Sequence, residues 1–411
     1  MATNEYDVIV VGAGPGGSTC ATFLAMKGNK VLLLEKAKYP RDKTCGDAVG
    51  GKCVQIAKEL NLLNVLEDKL VHAPVNGAIF TSPKGARVRL EFPEQKGQKS
   101  KGYVCRRLIY DNMLFEKAKS TPGVTIMENT LVKDLVKDGD KVTGVIAFNS
   151  ETKQDLTLKA KVVVGSDGAY SVVAQKTGNA FNDDEHTCMA LKAYYSGVTE
   201  MEDAIELHFV DSIIPGYFWI FPVGNGMANI GIGMVQKDLK NRSIKLKEAM
   251  LDIIENNPLF KERFKNAKLE TKIEGWMLPF GSKMRTMHGN GYVLVGDAAA
   301  LIDPFTGEGV GNAMTSGKIA AHVITEAIKK GDTSAASLKE YEDKVRLELG
   351  PELEASYKMQ KIGKHKFLLN MLLGKASRSK AVRDALTESL STEENKKVLS
   401  DPLFYLKLLL A

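Results

Sequence analysis

The stretch YDVIVVGAGPGGS, Tyr6 to Ser18, restricts the fold more than any other part of this chain. YDVIVV is a continuous β-branched run, the pattern of a strand buried on both faces of a parallel sheet. A small-residue helical stretch, TCATFLAMKG, follows the glycines and ends at Gly28, and KVLLLEK supplies a second strand. Together they predict one β-α-β unit. The spacing is Gly12-x-Gly14-x-x-Gly17. The first glycine permits a tight turn, the second lets the backbone approach a pyrophosphate, and the third lets the helix pack closely on the sheet. The helix N-terminus then offers N–H groups to phosphates. Glu35 closes the second strand about 20 residues on, where a carboxylate can accept ribose hydroxyls. A 2′-phosphate would be repelled there. The motif predicts a dinucleotide, without separating NAD from FAD.

A chain of 411 residues exceeds one ordinary core, so two or three domains are expected. The strand-loop-helix style of the start returns in KAKVVVGSDGAYS and in GYVLVGDAAALIDPFTGEGVGNAM. Between them, MALKAYYSGV, AIELHFV, YFWIFP and MANIGIGM are short strand-like runs separated by turns. The expected architecture is α/β: a Rossmann-like parallel-sheet domain (1–75, 102–180 and 270–330), an inserted antiparallel-sheet domain (76–101 and 181–269), and a helical C-terminal region (331–411). Residues 40–56 read as irregular.

Net charge is +6, too weak to argue for nucleic acid. The five cysteines fit neither a zinc site nor a disulfide framework, and no histidine pair has metal-ligand spacing. No metal is expected. The start lacks the pattern of a signal peptide, and no run of about 18 apolar residues is present, so a cytoplasmic protein is expected. Residues 358–383 hold eight Lys or Arg and no acid around FLLNMLLG, a stretch that can cap a domain or rest on the inner face of an anionic membrane.

Two segments favour FAD. Asp167 and Gly168 follow one buried strand; Gly296 and Asp297 follow another, with Gly307, Gly309 and Gly311 downstream. An acid at a strand end can reach a polyol chain, and TGEGVGNAMTSG can aim a helix N-terminus at an electron-rich ring edge. In this order the three motifs resemble the flavoprotein superfamily of para-hydroxybenzoate hydroxylase, aromatic-ring monooxygenases and geranylgeranyl reductases, over roughly residues 5–330. The resemblance implies that Gly12, Gly14, Gly17 and Glu35 hold the ADP half of FAD, with Pro15, Gly16 and Lys36 beside them. It also implies that Asp167, Gly168 and Asp297 line the cofactor, Asp297 at the ribityl chain, and that Gly309 and Val310 lie against the ring system. VCRRLIYDNML resembles the superfamily's Val-x-Arg-x-x-Phe-Asp-x-x-Leu segment, which makes Arg107 a cofactor contact. Leu131 is placed on the adenine side.

PGYFWIFP, Pro215 to Pro222, decides among the chemistries. On a strand, Tyr217, Trp219 and Phe221 face one way, Phe218 and Ile220 the other. Such a face is either core or the wall of an apolar substrate pocket. The octapeptide resembles the Pro-x-x-Tyr-x-Trp-x-Phe-Pro signature of geranylgeranyl reductases, with Pro215 one residue closer to Tyr217 than in some versions, and lacks the two tryptophans around Ile-Pro of related halogenases. KTCGDAVGGK resembles the Cys-Gly-Glu/Asp segment of archaeal lipid and related prenyl reductases, which implies that Cys45, Gly46 and Ala48 contact FAD. An isolated alkene needs a hydride on one carbon and a proton on the other, and Cys45 or Asp47 could supply that proton. The usual alternative for Cys45 is a small buried thiol. The expectation is therefore an FAD-dependent reductase saturating a prenyl chain on a lipid, quinone or diphosphate. Its electrons would come from NAD(P)H or a ferredoxin-like carrier. A flavin monooxygenase of an aromatic or polyene substrate, and a flavin-binding protein without turnover, are the alternatives.

Overall fold

A computed structural model of the chain describes residues 5–68, 73–92, 94–95, 98–99 and 102–391. Its first sheet is parallel at the centre. The strand Glu5–Val11 lies between Val31–Leu34 and the second half of Gln154–Gly165, with Val10 opposite both Leu33 and Val164. Val124–Met127 extends one side, and Tyr292–Leu294 pairs with the end of Gln154–Gly165 on the other. The central strands are buried on both faces, as their unbroken Val/Ile/Leu runs require. Strands Thr130–Asp138 and Lys141–Asn149 form a hairpin around Gly139, and Lys141–Asn149 pairs antiparallel with the first half of Gln154–Gly165.

Helix Pro15–Met26 packs against helix Val310–Lys329. A Cβ on Gly317 would stand 2.5 Å from the Gly16 carbonyl oxygen, so small residues set this helix spacing. The second sheet runs Lys268–Leu269, Thr187–Ser196, Met227–Val235, Tyr217–Gly224, Ala204–His208, Gly77–Thr81, Arg87–Glu91. It is antiparallel except where Ala204–His208 and Gly77–Thr81, two strands from separate segments of the chain, run parallel. Glu274–Pro279 pairs with Thr187–Ser196 and so joins this sheet, beyond the expected boundary at residue 269.

The segment read as irregular contains structure: strand Ala48–Val49 pairs with Gly102–Val104, and Gly51–Glu59 is a helix. Cys53, Ile56, Ala57 and Leu60 form its buried stripe, a helical period masked in the sequence by Gly50 and Gly51. Among the described residues of the C-terminal region are helices Ala335–Ile362, Lys366–Ala376 and Lys380–Ser391. Leu369, Leu373, Val382 and Leu386 bury against Val88, Leu90 and Phe209 of the second sheet's edge. The terminal segment FYLKLLLA lies outside the described residues.

Candidate active site and cofactor cleft

A cavity of about 1390 Å³ runs from the glycine-rich loop, between the two sheets, to the C-terminal helices. At one end Gly12 has φ +94, and a Cβ there would stand 2.5 Å from the Ser166 carbonyl oxygen. Gly14 differs: a Cβ would meet nothing nearer than the Arg41 guanidinium at 3.7 Å, so its backbone faces open cleft. Gly17 does not line the cavity. A Cβ on it would stand 1.8 Å from the Gly12 carbonyl oxygen, which makes it a packing residue of the turn. Pro15 and Gly16 line the wall, and so do Glu35, Lys36 and the half-exposed Leu131. The Glu35 oxygens accept the N–H groups of Ala13 and Ala37, each at 2.9 Å. Lone pairs remain on both oxygens for further donors.

Arg107 grips Asp111 through Nε and Nη2, and Arg41 reaches the same carboxylate. Burial would raise Asp111, but the two guanidinium groups outweigh it and hold the carboxyl below its ordinary range. Asp167 lines the cleft, yet it also accepts from the Val172 N–H at 2.6 Å and from the Ser171 hydroxyl, fixing the turn into helix Val172–Lys176. Gly168 beside it has φ +80. Asp297, Gly309 and Val310 line the cavity together, and Val310 opens the 20-residue helix. Burial raises Asp297, and the nearby cations Lys43 and Arg107 oppose that rise. Lys43 Nζ sits 3.7 Å from the centre of the Trp276 ring, and burial pushes its ammonium down to about 8.

Tyr217, Trp219 and Phe221 all line the cavity, whereas Phe218 and Ile220 pack into the core beneath the sheet. The face is continuous: Tyr217 and Trp219 ring centres are 6.1 Å apart, Trp219 and Phe221 6.2 Å. Tyr217 Oη donates to the Thr306 carbonyl at 2.7 Å, joining this strand to the loop before Gly309. Loop 44–48 lies against the same face, since a Cβ on Gly46 would stand 3.1 Å from the Phe221 ring. Cys45 is partly exposed to the cavity, as are Gly46 and Ala48. Cys20, Cys53, Cys105 and Cys188 are buried.

Asp47 is buried at the cavity wall with a left-handed backbone, φ +67. Its Oδ2 accepts from Tyr194 Oη at 2.6 Å and from Asn229 Nδ2 at 2.7 Å. Burial pushes its carboxyl up to about 6, while those donors and the Lys192 cation pull the other way. The sequence offered no sign of Tyr194, Asn229 or Lys192, which lie on strands remote from the CGD segment.

Residues 5–350 match the FAD binding domain family. The digeranylgeranylglycerophospholipid reductase of Methanosarcina acetivorans is 34% identical over 357 residues, covering 85% of this chain and 83% of that protein. That of Methanocaldococcus jannaschii is 32% identical over 397 residues, covering 95% and 93%. The chain belongs to the geranylgeranyl reductase family of FAD-dependent oxidoreductases. A solved geranylgeranyl bacteriochlorophyll reductase-like protein of Thermoplasma acidophilum superposes with a TM-score of 0.82 at 27% identity, covering 97% of this chain and 99% of that one. The flavin-dependent brominase Bmp2 shares the fold, with a TM-score of 0.76 at 22% identity, covering 98% of each chain.

The cleft of this geranylgeranyl reductase-family protein fits FAD on its own geometry. Open backbone at Gly14, two carboxylates on the wall at Glu35 and Asp297, and a long helix starting at Val310 answer a dinucleotide's phosphates, sugars and ring edge. Among the described residues no His/Cys/Asp/Glu group could hold a metal ion, and no helix is long and apolar enough to cross a membrane.

Proposed function

We propose that the protein saturates C=C bonds in the prenyl chains of a digeranylgeranyl glycerophospholipid or a close relative. The observation that carries this reading is the continuity of the cavity, from the Gly12–Gly17 loop to an apolar end walled by Tyr217, Trp219 and Phe221. The relatives named for digeranylgeranylglycerophospholipid reduction support the substrate class.

Gly12, Gly14, Pro15, Gly16, Glu35, Lys36 and Leu131 would hold the adenosine and pyrophosphate half of FAD. Arg107, Asp167, Gly168, Asp297, Gly309, Val310 and the Cys45–Ala48 loop would border the rest, with Gly17 acting through the turn. When bound and reduced, FAD supplies a hydride. The aromatic face aligns the chain by flat apolar contact and keeps water from the alkene. Asp47 and Cys45 are the candidate proton donors. Cys45 is partly open to the cavity; Asp47 is hydrogen-bonded and its proton affinity is raised toward neutrality.

The electrons would come from a nicotinamide dinucleotide or a ferredoxin-like carrier. The protein would work on the cytoplasmic side, and the exposed basic positions of 358–383, with Phe367, would rest on anionic lipid headgroups. Leu369 and Leu373 of that segment are docked on the second sheet and are not part of such a contact.

The test is product analysis. Holoenzyme reduced without oxygen and given a digeranylgeranyl lipid should add two hydrogens per double bond and no oxygen. A product formed only in air and carrying oxygen would replace this reading with a monooxygenase. Absence of product under both conditions, with flavin bound, would leave a flavin-binding protein.

A further inference from the structure

Tyr194 is placed as no packing residue needs to be. Its hydroxyl donates to the buried Asp47, and two cations stand over its ring, Lys192 Nζ at 4.2 Å and the Arg106 guanidinium at 4.5 Å from the ring centre. Lys192 is 2% exposed, and its acidic neighbour is Asp42, 3.5 Å away. Asn229 is fixed from both sides. Its Oδ1 accepts from Trp219 Nε1 at 3.0 Å, and its Nδ2 donates to the Cys45 carbonyl and to Asp47, each at 2.7 Å. Both donors thus meet on one oxygen of Asp47. The other, Oδ1, keeps one long contact, from the Arg107 N–H at 3.3 Å. A phenylalanine and a leucine would fill these volumes. The polar choices cost desolvation unless they serve the carboxylate.

We propose that Tyr194 and Asn229, with Lys192 behind them, are positioning residues that hold Asp47 as the proton donor for prenyl reduction. This rests on the reductase reading above. In the step, the proton leaves Asp47 Oδ1 for the alkene carbon that does not take the hydride. The O–H electron pair stays on the carboxylate. Tyr194 and Asn229 hydrogen-bond the new charge, Lys192 balances it, and a proton from solvent restores the acid. The titratable and charged groups around Asp47 are Asp42 and Cys45 on its own loop, Lys192 and Tyr194 on the facing strand, and Cys105, Arg106 and Arg107 on the adjoining segment.

The test uses Tyr194→Phe, Lys192→Met and Asp47→Asn in the FAD-loaded protein. Reduced enzyme is mixed anaerobically with a digeranylgeranyl lipid, and flavin reoxidation is followed across pH. In parallel, infrared difference titration of the oxidised holoenzyme reads the Asp47 carboxyl band, identified by its loss in Asp47→Asn. Tyr194→Phe removes a hydrogen bond to the charged form and Lys192→Met removes a cation, so each should raise the alkaline limb and the band midpoint. The expected shift is about one pH unit or more. Asp47→Asn should slow reoxidation by roughly 10²–10⁴-fold. Limb and band unmoved in Tyr194→Phe, or full rate in Asp47→Asn, would overturn the proposal. Should Lys192→Met fail to retain FAD, the near-isosteric Tyr194→Phe decides alone. If wild-type flavin is never reoxidised by lipid, the reductase reading fails, a result distinct from an unmoved carboxyl band.

Discussion

Two glycines of one loop should respond oppositely to the same methyl group. At Gly17 the new Cβ would overlap the Gly12 carbonyl, so Gly17→Ala should distort the turn, lowering both thermal stability and FAD retention. At Gly14 the protein itself leaves room. Gly14→Ala should keep the wild-type melting temperature without cofactor yet weaken FAD binding, as read by differential scanning and flavin titration. Asp47 makes a prediction of another kind. Its carboxyl is raised from an ordinary 3.8 to about 6, so the folded chain binds the proton more tightly than the unfolded one. The stability this confers is complete below about pH 4 and is lost as pH rises through about 6, a difference on the order of 2–3 kcal/mol. Urea unfolding across that range should show the slope in wild type and a flatter line in Asp47→Asn. Such residues also mark what a sequence discloses. The place of Glu35 on the cavity wall was legible because it lies in the same β-α-β unit as Gly12 and Gly14. Tyr194 and Asn229 reach Asp47 across 147 and 182 positions, and no local pattern records such a meeting.

Among the elements, the aromatic strand Tyr217–Gly224 was the most legible, because a period of two survives whatever surrounds it. What its sequence could not say is which neighbour makes room for the indole. Gly231 on the next strand does: a Cβ there would stand 2.1 Å from the Trp219 ring. Gly231→Ala should displace the indole, blue- or red-shift its emission, and weaken lipid binding more than FAD binding. Beneath the same sheet, strand Ala204–His208 is tied to helix Lys261–Phe264 by Glu206 and Arg263, whose two nitrogens each donate at 2.8 Å. Burial would raise Glu206, but Arg263 and His208 outweigh it and bring the carboxyl down to about 2. Arg263→Ala would strand that charge, at a cost of about 3–5 kcal/mol in denaturant unfolding. Helix Gly51–Glu59 was missed for a physical reason. Its paired glycines read as a loop, and its buried stripe has meaning only against Tyr110 and Met314, which come from later helices.

At the scale of the molecule, the cofactor cleft was foreseeable because its motifs are local, whereas the full extent of the cavity was not. The long basic segment illustrates the difference. Composition alone left it free to cap a domain or to lie on lipid, and packing assigns Leu369 and Leu373 to the first task. Leu373→Ala should cost about 2–5 kcal/mol if the site does not collapse, and should let bound lipid escape faster. Limited proteolysis of the C-terminal helices together with lipid dissociation rates would check both.

The walls of the cavity draw on Gly12 near one end of the sequence and Thr387 near the other. The central sheet is likewise unfinished until Tyr292–Leu294 takes its place beside Gln154–Gly165. During synthesis, then, the nucleotide-binding turn leaves the ribosome long before the surfaces that will shelter a greasy chain. The residues at the far side of the flavin cleft, Asp297 and Val310, emerge later still than the Tyr217–Phe221 wall, so the nascent polypeptide gains a complete cofactor compartment only after its oily wall has been made.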